Sequence, residues 1–132
     1  MISESILLFN RFKPNYLKVI DYNGDAVVGG VDYYQGFKLK LSANIKINDS
    51  NLIYYYIVYL GSEKIFETPC KYVNSNIGLF EDIVDIPPCL FLPNNTYTFY
   101  LAVSIRNVKY VVNPYDDYIC VSVPFFTKKN IL

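Results

Sequence analysis

Tyrosine is the residue type through which this chain can do chemistry: it has fourteen of them, with no tryptophan and no histidine. A phenol ring offers a flat apolar face and a polar tip. That combination stacks on the C–H face of a sugar while the hydroxyl exchanges hydrogen bonds with the sugar's own. Tyr100 and Arg106 stand on the polar face of one alternating strand, opposite the apolar row Tyr97, Phe99, Leu101, Val103 and Ile105. Tyr55 and Tyr59 share a phase on an earlier strand that is apolar on both faces; with the phase inverted, Tyr54 and Tyr56 take their place. Tyr110 and Tyr115 fall in a loop, 107–117, that also carries Lys109, Asn113, Asp116 and Asp117. Against each of these sites stands the ordinary destination of a tyrosine in a small β protein, the core.

Catalysis has little to work with. The absence of histidine removes Ser-His-Asp and Cys-His nucleophilic arrangements. Glu81, Asp82 and Asp85 lie close in sequence, and Asp116 and Asp117 are adjacent, but neighbours on an extended strand face opposite sides and do not form the paired acids of a glycosidase. They read as solvated strand edges and turns. Asp116 and Asp117 could contribute to a calcium loop, yet no full ligand series surrounds them. The chain is therefore expected to be no enzyme and to need no cofactor or metal. Lysine plus arginine equals aspartate plus glutamate, so the electrostatic footprint of a nucleic-acid binder is missing and a neutral ligand fits better.

Cys70, Cys89 and Cys120 are odd in number and without short paired spacing. This predicts no intrachain disulfide and no zinc site, with the cysteines serving as small buried apolar groups. The N-terminus has no basic segment followed by a long apolar core, and no later apolar run is long enough to span a bilayer. A cytoplasmic chain without membrane insertion is the expectation.

The elements that must position the tyrosines are strands. At 132 residues the chain is expected to be one domain, residues 1–132, with 1–14 an edge strand or a linker remnant. Strands are expected at Asn15 to Asp21, Ala26 to Val28, Phe37 to Ile47, Leu52 to Leu60, Ile65 to Thr68, Leu79 to Ile86, Thr96 to Arg106 and Tyr118 to Phe125. Turns are expected at Tyr22-Asn23-Gly24-Asp25, at Tyr33-Tyr34-Gln35-Gly36 and at Gly61-Ser62-Glu63-Lys64. Phe37, Leu39, Leu41, Ala43, Ile45 and Ile47 share one face and should meet the core. Pro87, Pro88 and Pro93 stop one strand and turn the chain before the next begins. That strand opens on Tyr97, which suits the corner of an immunoglobulin-like fold, its ring inward and its hydroxyl bonded to nearby backbone. The fold class is all-β, a two-sheet antiparallel β-sandwich of immunoglobulin-like type.

In order and spacing, four stretches resemble a known family: Val19-Ile20-Asp21-Tyr22-Asn23-Gly24, Gln35-Gly36-Phe37-Lys38-Leu39, Ile65-Phe66-Glu67-Thr68, and Ile86-Pro87 through Tyr97. The family is the C-terminal carbohydrate-binding domain of the ATP-binding subunits of O-antigen polysaccharide ABC transporters, the Wzt type. One departure is that Asn94-Asn95 stands where that family usually has glycine before the tyrosine strand. The resemblance implies a non-catalytic module that binds the non-reducing end of a bacterial O-polysaccharide before export. It implies a nucleotide-binding domain and a membrane permease as partners, at the inner face of the inner membrane. It also implies a homodimer, with the strand from Tyr118 to Phe125 as an element to exchange. No Gly-x-x-x-x-Gly-Lys-Ser/Thr phosphate cradle occurs here, so the resemblance covers the binding half alone, as an excised or stand-alone domain. The rival reading is an immunoglobulin-like interaction or structural module.

Overall fold

A computed structural model of the chain describes residues 11–27, 29–47, 52–73, 76–105 and 118–129. These form nine strands: β1 (Phe12–Ile20), β2 (Val31–Asp32), β3 (Phe37–Ile45), β4 (Leu52–Leu60), β5 (Glu63–Glu67), β6 (Lys71–Tyr72), β7 (Gly78–Ile86), β8 (Asn95–Ile105) and β9 (Tyr118–Lys128). They make two sheets, one in the order β1-β3-β7, the other in the order β2-β9-β8-β4-β5 with β6 also paired to β4. The pairings are antiparallel except the two-residue match of β2 with β9, which is parallel. The expected β-sandwich is the observed architecture.

The alternation of β3 and β8 gives the core its two walls. Phe37, Leu39, Leu41, Ala43 and Ile45 are buried against Tyr97, Phe99, Leu101 and Val103 from the facing sheet. Aromatic rings fill one end: Phe99 and Phe125 stack with centroids 4.9 Å apart, and Phe91 lies 5.0 Å from Tyr97. Tyr54, Tyr56, Phe12 and Phe80 fill the other, with Tyr54 and Phe80 edge-to-face at 5.5 Å. Ile47 departs from the expected core row; it lies two residues past the end of β3 and is 47% exposed.

The stretches that carried the resemblance have physical jobs. Asp21 closes the first turn by accepting hydrogen bonds at Oδ1 from the backbone N–H groups of Asn23 and Asp25, both 2.9 Å, and Gly24 supplies the positive φ of 90°. Gly36 must lack a side chain, since a Cβ there would sit 2.7 Å from the carbonyl oxygen of Ile86. Thr68 ends β5 by bracketing Tyr56: its Oγ1 accepts from the Tyr56 N–H at 2.9 Å, and its own N–H donates to the Tyr56 carbonyl at 2.9 Å. Asn94 explains the missing glycine. It holds φ at 62°, a left-handed conformation that asparagine adopts at less cost than most residues, and donates its N–H to the Thr127 carbonyl at 2.7 Å.

Tyr97 makes the expected corner, its buried hydroxyl donating to the Leu92 carbonyl at 3.3 Å. Thr127 of β9 donates to the same oxygen at 2.6 Å, which ties the last strand to the corner.

Several expectations are corrected. Of the strand expected at Ala26 to Val28, Ala26 makes one isolated bridge to Ile20, Val27 belongs to no strand, and Val28 lies outside the described residues. Cys70 and Cys89 are exposed, not buried, and Cys89 holds φ at 63° in the turn after β7. Asp82 is not a solvated edge residue. It alternates inward between exposed Glu81 and Ile83, its side chain is 15% exposed, and it accepts the Tyr56 hydroxyl at 2.9 Å.

Candidate functional site

Period-two alternation splits β4 between the two faces of the larger sheet. Leu52, Tyr54, Tyr56 and Val58 point into the sandwich, and Tyr55, Ile57 and Tyr59 point outward. The phase that presents Tyr55 and Tyr59 is therefore the observed one. On the neighbouring strand Tyr100 and Ala102 share the outward face, with Ile57 opposite Tyr100 and Tyr55 opposite Ala102.

These residues form a second, smaller apolar cluster outside the main core. Ala102 is 0% exposed and Tyr55 6%, so Tyr55 is floor and not rim. Above that floor Tyr59 and Tyr100 are half-buried, their rings edge-to-face with centroids 5.2 Å apart. One ring thus braces the other, and each keeps part of its surface for solvent. Edge-to-face contact adds about 0.5–1.5 kcal/mol beyond area burial, which fixes the rings before any ligand arrives.

Polar groups border the pair because the ladder puts them there. Thr98 sits opposite Tyr59, and exposed Ser122 of β9 sits opposite Tyr100. On the other side, β5 sets Lys64 opposite Tyr59 and Glu67 opposite Ile57. Lys64 and Glu67 pair at 3.0 Å, and the hydrogen bond and charge of Glu67 raise the lysine's pKa. The result is a shallow aromatic surface edged by hydroxyls, one ammonium and one carboxylate. Such a surface can stack on an apolar face and exchange hydrogen bonds around it.

Of the residues expected to bind, Tyr55, Tyr59 and Tyr100 come together here. Arg106, Tyr110 and Tyr115 lie outside the described residues, as does the Asp116 and Asp117 pair. Thr98, Ser122, Lys64 and Glu67 were not singled out from the sequence. Strand alternation could have placed each on a face, but only the pairing of β5, β4, β8 and β9 makes them neighbours.

The inward-facing tyrosines have another role. Burial, then the charge of Asp82, then a hydrogen bond to it hold the hydroxyls of Tyr54 and Tyr56 protonated well above the ordinary phenol range. Lys71 Nζ lies 3.9 Å from the same carboxylate. This group spans the sheets, joining β4 to β7, and is structural in geometry.

No family model and no curated protein matches the chain. A solved structure does. The crystal structure of the C-terminal domain of Wzt superposes with a TM-score of 0.69 over 92% of this chain and 76% of that one, at 12% sequence identity. In fold, this chain is similar to the Wzt C-terminal domain. The likeness agrees with the expected fold, and at this identity it speaks for the fold alone.

Proposed function

We propose that this domain is a non-catalytic carbohydrate-binding module that recognises a bacterial O-antigen polysaccharide at its non-reducing end for export by an ABC transporter. The observation that carries the reading is the braced, half-exposed pair of Tyr59 and Tyr100 on the outer face of the larger sheet, bordered by Thr98, Ser122, Lys64 and Glu67. The fold likeness to the Wzt C-terminal domain supports the transporter setting. In this reading Tyr59 and Tyr100 stack on sugar rings, Tyr55 holds them from beneath, and Arg106, Tyr110 and Tyr115 are further candidate contacts.

One shallow face binds weakly, because sugar hydroxyls exchange water for imperfect partners. A homodimer would present two such faces and raise affinity through effective concentration. A nucleotide-binding domain and a membrane permease complete the assembly on the cytoplasmic side.

Calorimetric titration with O-polysaccharide fragments tests the reading. Tyr100→Ala should weaken binding at least a few-fold, and Tyr59→Ala likewise, with stability reduced by only about 1 kcal/mol through loss of the ring pair. Undiminished affinity in a folded Tyr100→Ala variant would overturn the site. Failure of every glycan in a broad screen would favour a protein-interaction module, for which exposed Leu79 and Ile83 on the outer face of β7 are the supporting observation.

A further inference from the structure

A cleft of about 470 Å³ opens at the side of the sandwich between β1, the end strand of the smaller sheet, and β9 of the larger. Its volume falls in the range of small-ligand sites. It does not share Tyr59 or Tyr100 with the aromatic face. Val19, Val27 and Val123 supply apolar wall, and Phe126 adds a partly exposed ring.

The charge in this cleft is one-sided. Lys18 and Lys40 line it, and among the described residues no carboxylate does, in a chain whose formal charges cancel. The two lysines are direct cross-strand partners in the pairing of β1 with β3. Like charges set opposite each other in a sheet destabilise it. Two positions along β3, Lys38 stands between Ile20 of β1 and Asp85 of β7, with Nζ 4.0 Å from the carboxylate. Lys40 instead faces Ile83, and neither Lys18 nor Lys40 is in an ion pair among the described residues. The Lys18 ammonium rests 4.1 Å from the centroid of the Tyr16 ring, which also lines the cleft. The fold thus sets two lysines opposite each other beside an apolar hollow and an aromatic ring, with no carboxylate among the described residues that line the cleft.

We propose that this cleft binds an anionic group, a carboxylate or phosphate ester, carried on a saccharide. An anion between Lys18 and Lys40 would relieve their repulsion, while Tyr16 and the valines contact the sugar body. That the carrier is a saccharide rests on the glycan-binding reading; that the cleft takes an anion does not.

The test is a ¹⁵N NMR titration of the full chain with glucose 1-phosphate, glucuronate, inorganic phosphate and glucose. The expected result is saturable shifts from both acidic sugars at the amides of Tyr16 to Ile20, Lys40 and Val123 to Phe126. Inorganic phosphate should bind at least ten-fold more weakly, and glucose should leave these amides unmoved. The double variant K18Q/K40Q should weaken both acidic sugars at least ten-fold with its spectrum otherwise preserved, and added salt should weaken wild-type binding. Tyr100→Ala should leave this binding unchanged, so failure of the aromatic face and failure of the cleft are read separately. Absence of saturable shifts, shifts indifferent to K18Q/K40Q, or equal response to glucose would overturn the proposal. Inorganic phosphate binding as tightly as glucose 1-phosphate would overturn its saccharide part.

Discussion

Removing the Tyr97 hydroxyl and the Thr127 hydroxyl should cost more together than the two losses added. Both donate to one acceptor, the Leu92 carbonyl, from 3.3 Å and 2.6 Å respectively. Tyr97→Phe keeps the ring against Phe91 and Phe125 and leaves the carbonyl with its shorter bond, so the expected loss is about 0.5–1 kcal/mol. Thr127→Val also removes the acceptor for the Asn95 N–H at 3.4 Å, so about 1–1.5 kcal/mol is expected. In the double variant the Leu92 carbonyl has neither donor. An orphaned acceptor costs about 1–3 kcal/mol, which predicts a coupling energy near 1 kcal/mol. Urea denaturation of the four proteins measures it, and thermal melting should follow at about 4 °C per kcal/mol for a domain of this size. Additivity within about 0.3 kcal/mol would mean that water satisfies Leu92 and that the corner does not anchor β9.

Positive φ at two non-glycine residues gives a second test: Cys89→Gly should stabilise by up to about 1 kcal/mol, and Asn94→Ala should destabilise by about 1 kcal/mol where Asn94→Gly is nearly neutral, all read by urea melts. Tyr54 and Tyr56 have folded pKa values raised above the unfolded value near 10, so their contribution is intact below pH 10. Above it the unfolded chain loses protons that the folded chain keeps, and stability should fall by up to about 1.4 kcal/mol per pH unit for each. Tyr56→Phe should make that alkaline slope shallower, and a slope unchanged by the substitution would contradict the raised pKa of the buried Tyr56 hydroxyl. Sedimentation equilibrium should find a homodimer at micromolar concentration, and deletion from Tyr118 onward should abolish it. A monomeric intact chain would refute the exchange of β9, which in the single chain pairs with its own β8.

Period-two rows were legible wherever one face is apolar and the other polar, as in β3 and β8, because alternation states which side is buried. Turn chemistry was equally local: Asp21 with Gly24, and Tyr97 after three prolines, carry their roles in their covalent geometry and donor sets. Strand β4 was harder. Apolar on both faces, it gave no internal way to separate Tyr55 and Tyr59 from Tyr54 and Tyr56, and only packing against β3 and β7 decided which set entered the core. The two-residue strands β2 and β6 carry no pattern of their own and exist through their partners β9 and β4.

By itself, then, the sequence determined a β-sandwich, its main strands, the turns around Gly24 and Gly36, and the corner at Tyr97. All of these follow from near-neighbour residues through fixed φ, missing donors and alternating faces. Tertiary structure alone decided which residues from distant strands meet. It turned Asp82 inward to Tyr56, set Tyr59 against Tyr100, brought Lys64 and Ser122 to their flanks, and opposed Lys18 to Lys40. Strand order and register create those neighbours, and they result from the whole chain burying its apolar faces at once.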